Sequence, residues 1–457
     1  MRTISSSIAF AVPSILIYLV VHLAFWPAQM SPDSLDQWQQ LLTWDFDDTH
    51  PVSGTLLNWV FYRVVPSPAF VVFAHYTLFA LATGYFLTEL RRWGVALPIL
   101  MAAAVLFPLF PPNFLTVTTL WKDVPFATAL IALTALCIRG VRFNFILPVS
   151  VWVAMGAAGI VLVLLRHNGV IVAAGVFLVL SVAARPARVP AAALAAVQIV
   201  AFILSKTLLL TALSATPQSA QLRSIIALPM LAAMVRSDAH LSPEQEQAIL
   251  AIAPAEAWKS VPCGSIVPFY FDDPRVSHDA IEPNKVFATA AALAIQHPLL
   301  TLQQELCMTE LFWRPWARSH QQIADPPLEI TQNALAAQLK LTTQSKIPGL
   351  ANWLRWFHGR YFNGKGPFNR PALYLLVGLI ATVRLMIVAE RILWVSWLPA
   401  GLNCASLMLL IQSQEYRFVW PSVAASLLIA VFAAGIEASR RQSSATLHDA
   451  RVIPSDT

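Results

Sequence analysis

Residues 8–38 read IAFAVPSILIYLVVHLAFWPAQMSPDSLDQW, an uninterrupted apolar run that ends at Phe25-Trp26-Pro27 and gives way at once to Ser31-Pro32-Asp33-Ser34-Leu35-Asp36. A helix needs about 20 apolar residues to cross the roughly 30 Å hydrocarbon core of a bilayer, and the run is long enough. A cleaved secretory signal is the competing reading. The apolar part is too long for one and no small-x-small cleavage site follows it, so an uncleaved first membrane helix is expected.

Outward from this segment, nine further apolar windows recur: 68–88, 95–110, 124–138, 145–165, 169–184, 190–213, 372–389, 393–412 and 421–438. With 57% hydrophobic and only 12% charged residues, the chain falls outside the composition of soluble enzymes, which are about one quarter charged. The expected class is an all-α membrane protein of about ten transmembrane helices. The formal charge of +6 invites a nucleic-acid reading, but the placement of the cations argues against it. In a ten-span arrangement Arg2, Arg91 with Arg92, Arg139 with Arg142, Arg185 with Arg188, Arg391, and Arg440 with Arg441 fall on one face. The short loops of the other face hold only Arg63, Lys122, Arg166 and Arg417. Lys and Arg accumulate on the cytoplasmic side, so both termini are expected there, in what reads as a bacterial inner membrane.

Four regions follow. Residues 1–213 form a membrane module of about seven helices with a first outer loop at 28–67; 214–371 form an extracytoplasmic helical domain; 372–438 return to the membrane; 439–457 form a cytoplasmic tail. The domain at 214–371 holds 13 of the 30 Lys and Arg and 12 of the 24 Asp and Glu, a near balance typical of a solvated surface. Within it, helices are predicted over 220–235, from a Ser242 cap toward 252, and over 284–296, 298–312 and 328–343. The segment 353–362 interleaves Trp, Phe, Arg and His and reads as a helix lying in the membrane interface. Cys263 and Cys307 are the only cysteines of this domain, and whether they pair is open on sequence. No CxxC or Cys/His spacing marks a metal site, and no Gly-rich turn marks a nucleotide site. No cofactor is expected.

The polar residues at the outer helix ends are the informative ones. The first loop runs through Asp33, Asp36, Asp45, Asp47 and Asp48 to His50-Pro51, with two partial apolar faces (Trp38, Leu41, Leu42, Trp44; Leu56, Leu57, Val60, Phe61, Val64) expected of interfacial helices. Asp33 sits at the mouth of the first span, where desolvation is expected to raise its pKa toward that of a general base. Lys122-Asp123 opens another span, either as ordinary flanks or as a phosphate contact and an orienting carboxylate. Arg166-His167-Asn168-Gly169 is squeezed between two spans, suited both to a tight reversal and to binding an anion through the guanidinium fork. Glu415-Tyr416-Arg417-Phe418 precedes the last span; an aromatic belt explains the rings but not Arg417.

These residues, in this order and on one face, resemble the GT-C class of integral-membrane glycosyltransferases. The resemblance rests on Asp33-Ser34 and His50-Pro51 in the first outer loop, Lys122-Asp123, Arg166-x-Asn168-Gly169, Tyr416-Arg417-Phe418 and the late helical insertion. It implies transfer of a sugar from a polyprenyl-phosphate donor to a hydroxyl of a lipid or glycan acceptor at the extracytoplasmic face. Asp33 would act as base with Asp123 as a second functional carboxylate. Lys122, Arg166 and Arg417 would bind the donor phosphate, and Asp36, His50, His167, Asn168 and Tyr416 would orient substrates. Many members carry two adjacent acids where this chain has Asp33-Ser34. A lipid-linked glycan polymerase or ligase is the nearest alternative; a transporter or flippase is a further one, disfavoured by the absence of repeats and midplane charges.

Overall fold

The computed structural model describes residues 2–316, 323, 325–363 and 366–451; side chains are described within 5–441. The Arg2 side chain and residues 452–457 of the expected tail lie outside the described residues. The described chain is helical throughout, with only isolated β-bridges.

Along the chain run α1 (Arg2–Ala24), α2 (Pro32–Thr43), α3 (Val52–Val64), α4 (Pro68–Arg92), α5 (Leu97–Leu109), α6 (Pro111–Val117), α7 (Asp123–Arg142), α8 (Val149–Leu165), α9 (Gly169–Ala183) and α10 (Arg188–Leu204). There follow α11 (Leu228–Arg236), α12 (Pro243–Ile252), α13 (Pro283–Gln296), α14 (Pro298–Met308), α15 (Glu310–Trp313), α16 (Pro348–Phe357), α17 (Pro371–Val388), α18 (Leu398–Leu410) and α19 (Tyr416–Arg451), with short turns of helix between them. Six segments are long and apolar enough to cross a membrane: Ser5–Ala24, Pro68–Arg92, Asp123–Arg142, Arg185–Ala212, Pro371–Val388 and Tyr416–Arg441. Two bent pairs raise the number to eight at most, α5 with α6 at 60° and α13 with α14 at 112°. The expected spans at 145–165, 169–184 and 393–412 correspond to α8, α9 and α18, apolar helices of 10–17 residues. The protein is a multi-pass, all-α membrane protein.

α7 and α19 form the middle of the bundle, with 83% and 78% of their apolar stretches buried, whereas the Arg185–Ala212 segment, at 22%, is peripheral. α1 packs on α4, α4 on α7, α7 on α8 and α19, and α17 on α19. Phe79 of α4 stacks between Phe107 of α5 and Trp420 of α19, and Trp420 Nε1 donates to Asn113 Oδ1 of α6 at 3.0 Å. One indole thus joins three helices by dispersion while its polar atom stays satisfied.

The hydrophilic segment 214–371 divides in two. Residues 225–293 close around a core of their own that includes Trp258, Phe269 and Leu293, whereas Met308, Leu311, Ile330, Ala351 and Leu354 belong to the core of the membrane bundle. The α12 cap is a full box: Ser242 Oγ accepts from Gln245 N and Gln245 Oε1 accepts from Ser242 N. Two predicted helices are corrected. The 220–235 helix is interrupted by a 3-10 turn at Ser224–Ile226, after which Pro229 in the first turn opens α11 as a new helix. The 328–343 helix is absent except for Ala334–Gln338, because Ile330 is drawn into a bridge with Met30, with Thr331 N donating to Met30 O at 2.9 Å. Cys263 and Cys307 are joined as a disulfide.

Candidate active site

α2 begins where the chain leaves α1, and its first turn is built by Ser31. Ser34 N donates to Ser31 Oγ at 3.4 Å and Ser31 N to Ser34 Oγ at 3.2 Å, while Trp121 Nε1, from another loop, donates to Ser31 Oγ at 2.9 Å. Asp33 therefore stands in the first turn of a capped helix, where the exposed N–H groups favour a negative charge. Its Oδ2 lies 2.6 Å from Arg417 Nη1 and 3.6 Å from His50 Nε2. Arg417 Nε is bound by Glu415 Oε2, and the guanidinium lies 5.1 Å from the Trp121 ring and 5.0 Å from the Phe418 ring. Burial by itself pushes the Asp33 pKa up, but Arg417, His50 and Lys122 outweigh it and hold the carboxyl well below its usual value. The expected elevation is thus overturned: desolvation is present, and the cations beat it.

Beside this pair lies a second. Arg166 Nη1 meets Asp123 Oδ1 at 2.6 Å, and only 9% and 3% of the two side chains are exposed. The Arg166 guanidinium lies 4.7 Å from the Phe418 ring, so both guanidinia are within reach of that ring's electron-rich face. Burial lowers the Arg166 pKa against the pull of Asp123. Arg166, expected to hold a phosphate, is instead neutralised by Asp123 within the protein. Asp123, expected to act on substrate, is buried by the same pairing.

Lys122 differs from both arginines. It is half-buried and makes no ion pair within 4 Å among the described residues, and its stem would touch a Cβ added at Gly54. Burial brings its pKa down to about 8, Asp123 and Asp33 opposing, Arg417 and Arg166 assisting. It is the cation with donors to spare. Three carboxylates (Asp33, Asp123, Glu415) and three cations (Lys122, Arg166, Arg417) therefore share this end of the bundle in balance. Burial raises the Glu415 pKa, and burial followed by Lys122 lowers that of His50.

The remaining predicted site residues separate. Asp36, one turn beyond Asp33, shares the Gln40 amide with Asp47 at 2.9 and 2.8 Å; burial and Asp47 push its pKa up to about 6. His167 accepts at Nδ1 from Lys206 Nζ at 3.0 Å, which leaves its proton on Nε2, facing Thr49 O at 3.5 Å. Lys206 in turn meets Asp48 Oδ2 at 2.5 Å. Burial, Lys206 and Lys122 take His167 down to about 3, so it is neutral and ties the residue before His50 to the π-helical turn Ser205–Leu209. Asn168 is turned into the bundle, donating to Asn403 Oδ1 at 3.3 Å and Ser406 Oγ at 2.9 Å; it holds α9 to α18 and does not reach Asp33. Tyr416 is fully buried with its ring 5.1 Å from Phe362, and its hydroxyl has no partner among the described residues. Each was expected to orient substrate, and the structure places each inward, buried by packing.

Sequence reasoning passed over Glu415, Phe418, Trp121 and Asp48 as participants. Glu415 had a signal, an acid two residues before an unexplained Arg; the others depend on contacts between distant segments. At the far end of α7, about 30 Å from Asp123 at 1.5 Å per residue, lies another missed group. Glu89 is 0% exposed and is met by Arg92, by Arg142 at 3.2 Å and by Arg139 at 3.9 Å. No three His, Cys, Asp or Glu are grouped to hold a metal ion among the described residues. Comparison of the chain with models of known families, with curated proteins and with solved structures finds no match.

Proposed function

We propose that the chain is a membrane glycosyltransferase that moves a sugar from a polyprenyl-phosphate donor to a hydroxyl acceptor, lipid or glycan, at the extracytoplasmic face of a bacterial inner membrane. The observation that carries this reading is that Asp33 and His50, Lys122 and Asp123, Arg166, and Arg417, from four separate stretches of sequence, meet at one end of the bundle. A donor with an isoprenoid tail and an anionic phosphate needs such a place, where lipid and a cluster of cations adjoin.

Asp33 would take the proton of the acceptor hydroxyl as its oxygen attacks the anomeric carbon. The bond from that carbon to the phosphate oxygen breaks, and the electron pair leaves with the phosphate, stabilised by Lys122 and Arg417. One direct displacement inverts the anomeric centre. Paired with Arg417, Asp33 is a weak base; an arriving phosphate competes for the guanidinium, and as Arg417 turns to it the Asp33 pKa rises. Asp123 and Arg166 would support Phe418 and Arg417 and would not touch substrate.

The test is transfer by the purified chain in vesicles supplied with radiolabelled polyprenyl-phosphate sugars and lipid or glycan acceptors. Asp33→Asn should lower transfer by about 10²–10⁴-fold, the usual worth of a general base, when rates are compared at equal amounts of folded protein, since losing the Arg417 pair also lowers the thermal transition. Transfer at the parent rate removes Asp33 as base. No transfer from any polyprenyl-phosphate sugar by the parent chain removes the reading. Product size separates addition of one sugar from movement of a preassembled glycan.

A further inference from the structure

The helix α14 is amphipathic in the sense opposite to that of a helix on a soluble domain. Gln304 and Met308 are buried and Leu300 packs on the core of the 225–293 unit. The opposite face carries Leu299 at 73%, Leu302 at 54% and Leu306 at 45% exposure, with polar Gln303 and Glu305 on either side. At 100° per residue the three leucines fall within an arc of about 60°. Ile295, at the end of α13 and 82% exposed, continues the stripe across the 112° bend.

The depth of this helix is fixed at its C-terminal end. Gln414 Nε2 donates to Cys307 O at 2.6 Å, Gln414 N donates to Gly264 O at 2.9 Å, Ile266 N donates to Gln412 O at 3.0 Å, and Cys263 is bonded to Cys307. Residues 412–415 are the link between α18 and α19, two apolar helices of the bundle, so the end of α14 is held at the level where those helices stop. The next helix, α15, packs against the membrane-spanning α17, whose exposed face begins with Leu373 and Leu376. At the end of α15 and just beyond it stand Trp313 and Trp316, 45% and 63% exposed, each with the Arg314 guanidinium within 6 Å of its ring (5.9 and 5.7 Å). Trp and Arg together are the residues of a headgroup-level belt.

We propose that α14 lies in the bilayer leaflet at the site end of the molecule, with Leu299, Leu302 and Leu306 among the acyl chains and Trp313 and Trp316 at the headgroups. The partner is phospholipid, chosen over a protein because the apolar stripe runs on through the tryptophans into the lipid-facing side of α17. The 225–293 unit is then moored to the membrane by a helix of its own, and this holds whatever reaction the site performs.

Spin labels at Leu299→Cys and Leu302→Cys, on exposed positions that leave the core untouched, test this in the full chain in phosphatidylcholine–phosphatidylglycerol vesicles. A label at Gln247→Cys on the exposed side of α12 is the aqueous reference, and the parent chain, whose free Cys137 and Cys404 are buried, gives the labelling background. The expected result is a gain in collisions with oxygen and a loss of collisions with a water-soluble nickel chelate at 299 and 302 relative to 247. Nickel access at 299 and 302 equal to that at 247 overturns the proposal by placing the stripe in water. Protection from both reagents, with dipolar coupling between labels on different copies, overturns it in favour of a self-association surface.

Discussion

Asp33 and Asp36 stand one turn apart on α2 and titrate in opposite directions, because one faces Arg417 and the other shares a half-buried space with Asp47. The sign of each consequence follows. A depressed carboxyl such as Asp33 contributes stability at all pH above its unfolded value and loses it only as pH falls toward the folded value. A raised one such as Asp36 works the other way: between about 4 and 6 the folded state binds more protons, so stability falls as pH rises through that window. Asp36→Asn should therefore raise the thermal transition by a few degrees at pH 7.5 and lose that advantage below pH 5, as differential scanning fluorimetry in detergent across pH would record. The charge balance of the site leads to a second expectation. Binding of an anionic polyprenyl-phosphate sugar should draw a proton into the site, Lys122 with its pKa of about 8 being able to take it up, seen as a dependence of the calorimetric binding enthalpy on the ionisation enthalpy of the buffer. Equal enthalpies in phosphate and Tris would show that the balance is restored some other way.

At the scale of the helices, Arg166-His167-Asn168-Gly169 is legible as a tight reversal from its residues alone, and the structure gives the reason. A Cβ at Gly169 would lie 1.9 Å from Leu162 O, so Gly169→Ala must push α8 and α9 apart; a loss of folded yield in membranes is expected, whatever becomes of the chemistry. Arg166→Ala leaves the Asp123 carboxylate buried without its partner, which costs about 3–5 kcal/mol. The same change made together with Asp123→Ala should cost much less than the sum, as unfolding in a double-mutant cycle would show. What the sequence could not tell is which cation stays open to a ligand. Lys122, Arg166 and Arg417 look alike as lone basic residues at helix ends; only the fold pairs Arg166 and Arg417 with acids and leaves Lys122 without one. The failed helix at 328–343 has the same root, since its propensity is ordinary and its partner, Met30, is 300 residues away in the chain. Asn168 and Tyr416 adjoin site residues in sequence yet face inward: Tyr416 because successive helical residues point about 100° apart, Asn168 because it lies in the turn before α9 and bonds to α18.

For the whole molecule, hydropathy located the apolar helices but not their roles. Six cross-membrane candidates, two bent pairs and three shorter helices underlie the ten windows seen in sequence and the polar insertion. The insertion carried no sequence mark dividing the self-contained 225–293 unit from the part that joins the bundle core. The disulfide closes a loop of 44 residues that takes in the C-terminal part of that unit, from Cys263 onward, and ties it to Cys307 at the end of α14. Opening it by Cys263→Ser with Cys307→Ser should cost about 4 kcal/mol by loop entropy. Limited proteolysis should then cut within 225–293 while the membrane bundle stays intact; an unchanged cleavage pattern would show that the unit's own core suffices.

The buried carboxylate at the far end of α7 gives biosynthesis a sequence of events. α4 emerges from the ribosome before α7 and carries Glu89 paired with Arg92, an acid and a base three residues apart. α7 brings Arg139 and Arg142 in its last turn, with no acid of its own near them, and Glu89 of α4 supplies both with a counter-charge. With α4 made first, Glu89 is in place to meet those guanidinia as α7 packs against it. Charge at this end and packing along the helices thus fix the same pairing of α4 with α7.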